Sequence, residues 1–224
     1  MVYDANVFKF LFSKKDHMLK MREAEVVKGV WKMSAILVLL SMLIYGWMAY
    51  LGMGSDHIAS QATALSAVEY EQSKFWFLVG RVCFGLLLSL FLLFIVPFIL
   101  YGLTEIPFKK LVIMQQLVLC VLLVERIIWI PLFVFAGLDW YVSPLSFGII
   151  ASYITDIPWI ISFFGAISLF QLWIIWFQVT YIHSLSSMKK QSIWASIILL
   201  HVFYWLMVAF LVYFDTSLLG GWSH

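Results

Sequence analysis

The sequence predicts an all-α integral membrane protein, a bundle of five transmembrane helices. Hydrophobic residues make up 64% of the 224 residues and charged residues 12%, and the mean hydropathy is +0.99. Soluble domains are about half apolar and about a quarter charged, so this chain has too little polar surface for a water-soluble fold. Its long apolar runs are separated by short polar stretches, which is the pattern of membrane-crossing helices.

Five apolar runs have the length that a membrane-crossing helix needs. A hydrocarbon core of about 30 Å requires roughly 20 apolar residues, because lipid cannot satisfy backbone hydrogen-bonding groups. The predicted spans are approximately residues 33–53, 77–103, 111–137, 159–182 and 193–214. Pro97 and Pro131 lie inside the second and third spans and predict kinks there. Gly85, four residues before Ser89, predicts a close approach between helices.

The distribution of Lys and Arg predicts the orientation in the cell membrane. Seven basic residues precede the first span, Lys109 and Lys110 lie in the second loop, and Lys189 and Lys190 lie in the fourth. The first and third loops and the C-terminal tail carry Lys74 alone. Because basic residues are enriched in cytoplasmic loops, we expect a cytoplasmic N-terminus and an extracytoplasmic C-terminus.

Residues 1–32 are predicted to form a short amphipathic, basic cytoplasmic segment, and residues 33–224 the membrane domain. Phe8 and Phe12, followed by Lys14 and Lys15, favour an element lying flat on the anionic inner leaflet. A second helix, from about Asp16, is expected to lead into the membrane. A docking site for a cytosolic partner is the alternative interpretation of the same residues.

Three ionisable residues, Arg81, Glu125 and Arg126, fall inside predicted spans. Charges are costly in lipid and usually face the bundle or a water-filled cavity, so this intramembrane polar cluster is a candidate site. At 1.5 Å per residue, Glu125 lies about 21 Å beyond Leu111 and Arg81 about 7 Å below the outer end of its span. The two side chains could therefore pair. The favoured interpretation is a polar clamp between helices, and the alternative is an outer-leaflet cavity for a lipid or peptide.

The predicted spans also contain uncharged polar side chains. Gln115 lies nearly on the face of Arg126, and Gln171 and Gln178 share a face of the fourth span. Amide side chains between helices usually form interhelical hydrogen bonds, whereas a polar translocation path is the sharper alternative. His201, near the middle of the fifth span, is interpreted as a packing residue rather than a metal ligand.

The sequence favours a non-enzymatic protein without a metal or cofactor. It contains no HExxH, GxSxG or Walker A motif. Cys83 and Cys120 fall in apolar runs and behave there as small hydrophobic residues. A net charge of +2 is too small to suggest a nucleic-acid partner. The lipid bilayer is a predicted partner, and a homo-oligomer stays open.

Three segments of the chain together suggest a family resemblance. The chain opens with NVFKFLFSKKDHMLKMREAE, residues 6–25, which is rich in phenylalanine and basic residues. A short loop before the third span, YGLTEIPFKKLVIMQQ, covers residues 101–116, and WIIWFQVTYIHSLSSMKKQSIWASIILL, residues 173–200, covers the fourth span, a Ser/basic turn and the final span. In this order the segments resemble the cytoplasmic entry, the short inner loop and the last two spans of the Yip family, named for membrane proteins that interact with Rab-type GTPases. Together with the five predicted spans, the resemblance covers nearly the whole chain.

The resemblance implies a function rather than a catalytic site. Among bacterial Yip proteins the chain is most similar to the type found with ABC exporters and their periplasmic-adaptor-like subunits. This implies an accessory or assembly subunit of an exporter complex, with a link to peptide-toxin resistance, whose partners are exporter subunits. The residues expected to contact the partner or the membrane are Phe8, Phe12, Lys14, Lys15, Lys109, Lys110, Lys189 and Lys190. A small transporter or a lipid- or peptide-binding bundle is the alternative.

Overall fold

The computed structural model of the chain describes residues 2–4, 14–24, 26–60, 62–137, 143 and 145–214. Within these residues the fold is helical except for two short paired strands. The strands are β1 (Val2–Asp4) and β2 (Val26–Lys28). The helices are α1 (Lys14–Glu23), α2 (Val30–Tyr50), α3 (Asp56–Ser60), α4 (Ala67–Leu90), α5 (Val96–Thr104), α6 (Phe108–Ala136), α7 (Gly148–Ser152), α8 (Pro158–Gly165), α9 (Leu169–Leu185) and α10 (Lys190–Phe214).

Four helical segments of the described chain are long and apolar enough to cross a membrane. They are Val30–Tyr50, Ala67–Thr104, Phe108–Ala136 and Lys190–Tyr213. The second of these combines α4 and α5 through an intervening helical turn. The four segments correspond to the predicted first, second, third and fifth spans. They confirm the helical fold and indicate a multi-pass, membrane-embedded protein.

The fourth predicted span, residues 159–182, is two helices in the structure. α8 has 8 residues and α9 has 17, and the chain between them, residues 166–168, pairs with another segment at Ser168. Neither helix alone is among the segments long enough to cross a membrane. Hydropathy predicts an unbroken helix here because the apolar run itself is continuous. The helix breaks where Ser168 pairs with Ser146 of another segment, and amino-acid composition does not predict such a pairing.

The helices fall into two compact units. The first comprises Met1–Ile130 with Ser184–Ser186, and the second Pro131–His183 with Ser187–His224. The boundary lies within α6, at the proline that the sequence marked as a kink. The first unit thus contains the N-terminal element together with α2, α4 and α5. This division of the chain into two compact units differs from the predicted boundary between a cytoplasmic segment and a membrane domain at residue 32. That boundary stays a prediction.

In the first unit α2 and α4 pack closely where small residues face each other. The Ser41 hydroxyl donates to the Gly85 carbonyl at 2.9 Å. A Cβ atom on Gly85 would lie 3.0 Å from the Ser41 carbonyl oxygen and 3.2 Å from the Cβ of Tyr45. Both distances are tighter than ordinary packing, so the close approach predicted at Gly85 is confirmed.

A π-helical turn, Phe91–Ile95, joins α4 to α5 immediately before Pro97. Proline has no N–H and its ring clashes with the carbonyl four residues earlier in an α-helix. Here the Val96 N–H donates to the Phe91 carbonyl five residues back, which widens the turn ahead of the proline. Phe94 of this turn stacks on Trp31 of α2, with ring centroids 6.1 Å apart. The irregularity expected at Pro97 therefore takes the form of a π turn.

The N-terminal element is a small parallel β-α-β arrangement. β1 and β2 pair in parallel, with Val2 opposite Val26 and Asp4 opposite Lys28. α1 connects them and matches the helix expected from about Asp16. It does not lead directly into the first span, because β2 and Gly29, with φ of 78°, come between α1 and α2. The strands were not predicted, since three-residue strands give little periodic signal.

The second unit is built around the broken span. α8 packs on α7 and on α10. Phe163 meets Trp205 edge-on, with ring centroids 6.3 Å apart. The chain on the N-terminal side of α7 pairs antiparallel with the break, Ser146 opposite Ser168. This pairing closes the base of a helical hairpin made of α7 and α8.

Candidate functional site

Arg81 of α4 is held between aromatic rings. Its guanidinium carbon lies 5.6 Å from the ring centroid of Tyr45 and 5.8 Å from that of Phe84. The two rings also meet edge-on, with centroids 5.3 Å apart. Stacking on aromatic faces stabilises a cation through the ring quadrupole, more strongly where water is excluded. Arg81 is therefore fixed against α2 as well as against its own helix.

Tyr45 and Phe84 were not singled out from the sequence as companions of Arg81. Tyr45 belongs to a different span, and nothing in its own sequence surroundings marks it. Phe84 is three residues after Arg81, a spacing at which side chains on one helix meet. That spacing is the signal that could have identified it.

Glu125 and Arg126 are consecutive on α6 and differ in surroundings. Glu125 is buried, with 6% of its surface exposed. Arg126 lies over the ring of Trp129, with its guanidinium carbon 4.8 Å from the centroid. The structure thus places all three charged candidates in the first unit, and the Arg81–Glu125 ion pair stays a prediction.

Two consecutive glutamines of α6 have opposite hydrogen-bonding states. The amide nitrogen of Gln116 donates to the Val30 carbonyl and to the Ser34 hydroxyl, both at 2.8 Å, which joins α6 to the start of α2. Gln115 is fully buried, and neither atom of its amide has a hydrogen-bond partner among the described residues. Sequence reasoning named Gln115 and missed Gln116. Neighbouring positions on a helix point about 100° apart, and the sequence does not show which direction faces a partner.

In the second unit, Gln171 and Gln178 lie on α9 and are both buried. The backbone N–H of Gln171 donates to the Ser168 hydroxyl at 3.3 Å, so its position is tied to the break. The amide oxygen of Gln178 has no hydrogen-bond partner in the part of the chain that is described.

His201 of α10 has the environment of a packing residue. Its Nδ1 lies 3.1 Å from the Ile197 carbonyl, one turn earlier on the same helix. Its ring meets Trp205 edge-on, with centroids 6.1 Å apart. Over the described ranges, no group of three or more His, Cys, Asp or Glu side chains could hold a metal ion.

The basic residues of the predicted inner loops differ in exposure. Lys109, Lys189 and Lys190 are exposed. Lys110 is half-buried and its ammonium donates to the Arg22 carbonyl at 3.4 Å, which joins the start of α6 to the end of α1. Phe8 and Phe12 lie outside the described residues. Lys14 and Lys15 begin α1, and their side chains also lie outside the description.

The first unit therefore offers two arrangements with different chemistry. One is a set of charges, with Glu125 buried and Arg81 and Arg126 half-buried, among aromatic rings within the apolar helices, suited to binding a polar headgroup or to locking helices together. The other is an exposed basic end suited to an acidic protein surface or anionic lipid.

No protein-family model matches the chain, and neither a curated protein nor a solved structure matches it.

Proposed function

We propose that the protein is a non-catalytic membrane adaptor, an accessory or assembly subunit of an ABC-type exporter complex in a bacterial cell membrane. The observation that carries the proposal is the exposed basic end of the first unit, fixed to the membrane helices. The assignment to an exporter depends on the resemblance of residues 6–25, 101–116 and 173–200 to bacterial Yip proteins.

The basic surface consists of exposed side chains on α1, β2 and the start of α2, and at the start of α6, which Lys110 joins to α1. Its members are Lys20, Arg22, Lys28, Lys32 and Lys109. Glu23 at the end of α1 and Glu105 just before α6 are also exposed, so positive charge predominates. Such a surface attracts an acidic partner over about a Debye length, near 10 Å at moderate salt.

Several contacts hold this surface in place. Lys110 bonds the carbonyl of Arg22, Met21 and Val30 are buried, and the strand pairing brings β1 beside β2. A basic surface on a fixed element loses less conformational entropy on binding than a free tail does. The arrangement thus supports docking of a protein in preference to a purely electrostatic tether.

The proposal includes five spans, with α8 and α9 together forming the fourth. Residues 158–185 extend for about 42 Å if both helices lie along one axis, at 1.5 Å per residue, which exceeds a core of about 30 Å. An odd number of spans puts the C-terminus outside when the basic N-terminal end is cytoplasmic.

Cysteine labelling tests this topology. In a chain carrying Cys83→Ala and Cys120→Ala, we expect Ser60→Cys and Asp156→Cys to react with an impermeant thiol reagent in intact cells. Ser187→Cys should react only after the cells are opened. All three positions are exposed. Reaction of Ser187→Cys in intact cells would exclude the fourth span, formed by α8 and α9, or the orientation.

The adaptor function is tested by purifying the protein from its native host in mild detergent and identifying retained proteins by mass spectrometry. We expect stoichiometric exporter subunits with the wild type and their loss from a combined Lys20→Glu, Arg22→Glu, Lys28→Glu and Lys109→Glu variant. Lys74→Glu, an exposed reversal on α4 outside the basic surface, is the matched control and should retain them. A wild-type protein that purifies without exporter subunits would contradict the proposal.

The second candidate function is a small transporter or a lipid- or peptide-binding bundle. It is favoured by the buried Glu125 and the aromatic enclosure of Arg81. Native mass spectrometry would support it if one lipid or peptide species stayed bound to the wild type and was lost with Arg81→Ala but retained with Lys74→Ala. Equal retention by both variants would count against it.

A further inference from the structure

The hairpin of α7 and α8 is closed at its base by backbone pairing. The Phe147 N–H donates to the Ile167 carbonyl, and the Leu169 N–H donates to the Leu145 carbonyl, both at 3.0 Å. These two hydrogen bonds join the start and the end of the hairpin. Residues 148–166 between them are called the excursion below.

Serine hydroxyls form hydrogen bonds with backbone groups near the base of the hairpin, where the backbone is not helical. Ser146 Oγ donates to the Ser143 carbonyl at 2.7 Å and accepts from the Gly148 N–H at 3.3 Å. Ser168 Oγ accepts from the Gln171 N–H at 3.3 Å. All three serines are buried. Non-helical backbone within a membrane requires internal partners of this kind, because lipid supplies none.

If Leu185 and Lys190 lie at the inner boundary, as in the proposed five-span topology, two helix lengths along the membrane normal give the depth of this base. α9 has 17 residues, so its Leu169 end lies about 26 Å from its Leu185 end. Trp205, which contacts Phe163 of α8, lies 15 residues after Lys190, about 22 Å along α10. In a core of about 30 Å, both values put the base roughly 4 to 8 Å below the outer boundary.

Most of the exposed side chains of the excursion are apolar. Ile150 of α7 is 58% exposed, and Tyr153 and Ile154 at the tip are 88% and 81% exposed. Asp156, also at the tip, is exposed too. Aromatic residues and a single charge suit the headgroup level, whereas an exposed isoleucine one turn from the base suits acyl chains.

We propose that residues 145–169 form a hairpin whose paired base lies within the outer leaflet and whose tip reaches the extracytoplasmic headgroup level, so that α7 and α8 contact lipid. The occupant of the exposed face is the outer-leaflet lipid. α10, which packs on α8, also exposes apolar side chains, among them Leu199, Phe203 and Phe210. This inference rests on the proposed five-span topology.

Fluorescence quenching in lipid nanodiscs tests the depth. In the cysteine-free chain, Ile150→Cys, Ile154→Cys and Leu199→Cys would each carry an environment-sensitive fluorophore. Leu199, exposed near the middle of α10, is the deep control. The quenchers are aqueous iodide and phosphatidylcholine carrying a nitroxide near the headgroup or near the end of the acyl chain.

We expect the probe at Ile150 to be quenched most by the nitroxide near the headgroup and several-fold less by iodide than the probe at Ile154. The probe at Leu199 should respond most to the nitroxide at the chain end. Equal iodide quenching at Ile150 and Ile154, without lipid quenching at Ile150, would overturn the hairpin. Ile149→Cys on the same helix replaces Ile150→Cys if that variant does not fold.

Failure of the topology is distinguishable from failure of the hairpin. Labelling of Asp156→Cys and Ser187→Cys in cells tests the fourth span, formed by α8 and α9, and a tip at the outer surface reacts whether or not α7 contacts lipid. Labelling as expected combined with a water-exposed Ile150 would exclude the membrane-buried hairpin base alone.

Discussion

The two units keep backbone polar groups out of lipid in different ways. In the first unit, α2, the α4–α5 path and α6 are long helices whose backbone bonds stay within each segment, and irregularity is confined to one π turn. In the second, the helix breaks at residues 166–168, and serine hydroxyls and strand-like pairing replace the missing bonds. The comparison shows that a continuous apolar run does not by itself specify a continuous helix, because residues 166–168 pair with another segment of the chain instead.

The largest effect should come from filling the α2–α4 contact. Gly85→Val places a branched side chain against the Ser41 carbonyl and Tyr45, and backbone leaves little room to relax. We expect a loss of about 3 kcal/mol in unfolding free energy, measured as a lowered thermal midpoint in detergent. Gly80→Val on the same helix is the control, since nothing lies within 4 Å of a Cβ there. Equal midpoints for the two variants would contradict close packing at Gly85.

A smaller effect is expected at the broken span. Ser146→Ala removes the acceptor of the Gly148 N–H and leaves that buried donor unpaired. The expected loss is about 1 to 2 kcal/mol, read from the same thermal midpoint. Ser152→Ala removes only an exposed hydroxyl bound to the Ile149 carbonyl, so it should be close to wild type. If both variants unfolded alike, the serines would not be sustaining the break.

Removing the hydrogen bonds between α6 and α2 should lower the unfolding free energy by a smaller but measurable amount. Gln116→Leu removes the donor that joins Val30 and Ser34 to α6. Interhelical hydrogen bonds in membranes contribute about 0.6 kcal/mol each on average, so we expect a loss of about 1 kcal/mol. Urea or detergent titration of unfolding measures it. A variant as stable as wild type would show that this bond does not hold the two helices.

The substitution Gln115→Leu should change the unfolding free energy least, and any change should be an increase rather than a loss. Gln115→Leu replaces a buried amide that makes no hydrogen bond within the described chain by an apolar group of similar size. Replacing an unsatisfied polar group by an apolar one is neutral or stabilising. The same titration should therefore give a stability equal to or above that of the wild type, and a clear loss would reveal a partner for Gln115.

The apolar runs were sufficient to predict four of the long helices, because length and hydropathy are local properties of the chain. The break after Gly165 was not predictable, since Ser146 and Ser168 become partners only once the hairpin has formed. Gly85 was identified by its four-residue spacing, whereas Gln116 could not be distinguished from Gln115. Arg81 was found because charge in an apolar run is conspicuous. Nothing in the sequence distinguishes Tyr45, because its ring contacts the Arg81 guanidinium only once α2 and α4 have packed together.

The parallel pairing of β1 with β2 has a consequence for biosynthesis. Residues 2–4 leave the ribosome 24 positions before their partners at 26–28, and a parallel pair needs the whole crossover between them. The sheet can therefore close only when the chain has been made up to Lys28, two residues before α2 begins. The N-terminal element thus needs no part of the first long apolar helix, so the sheet can form before α2 has been synthesised.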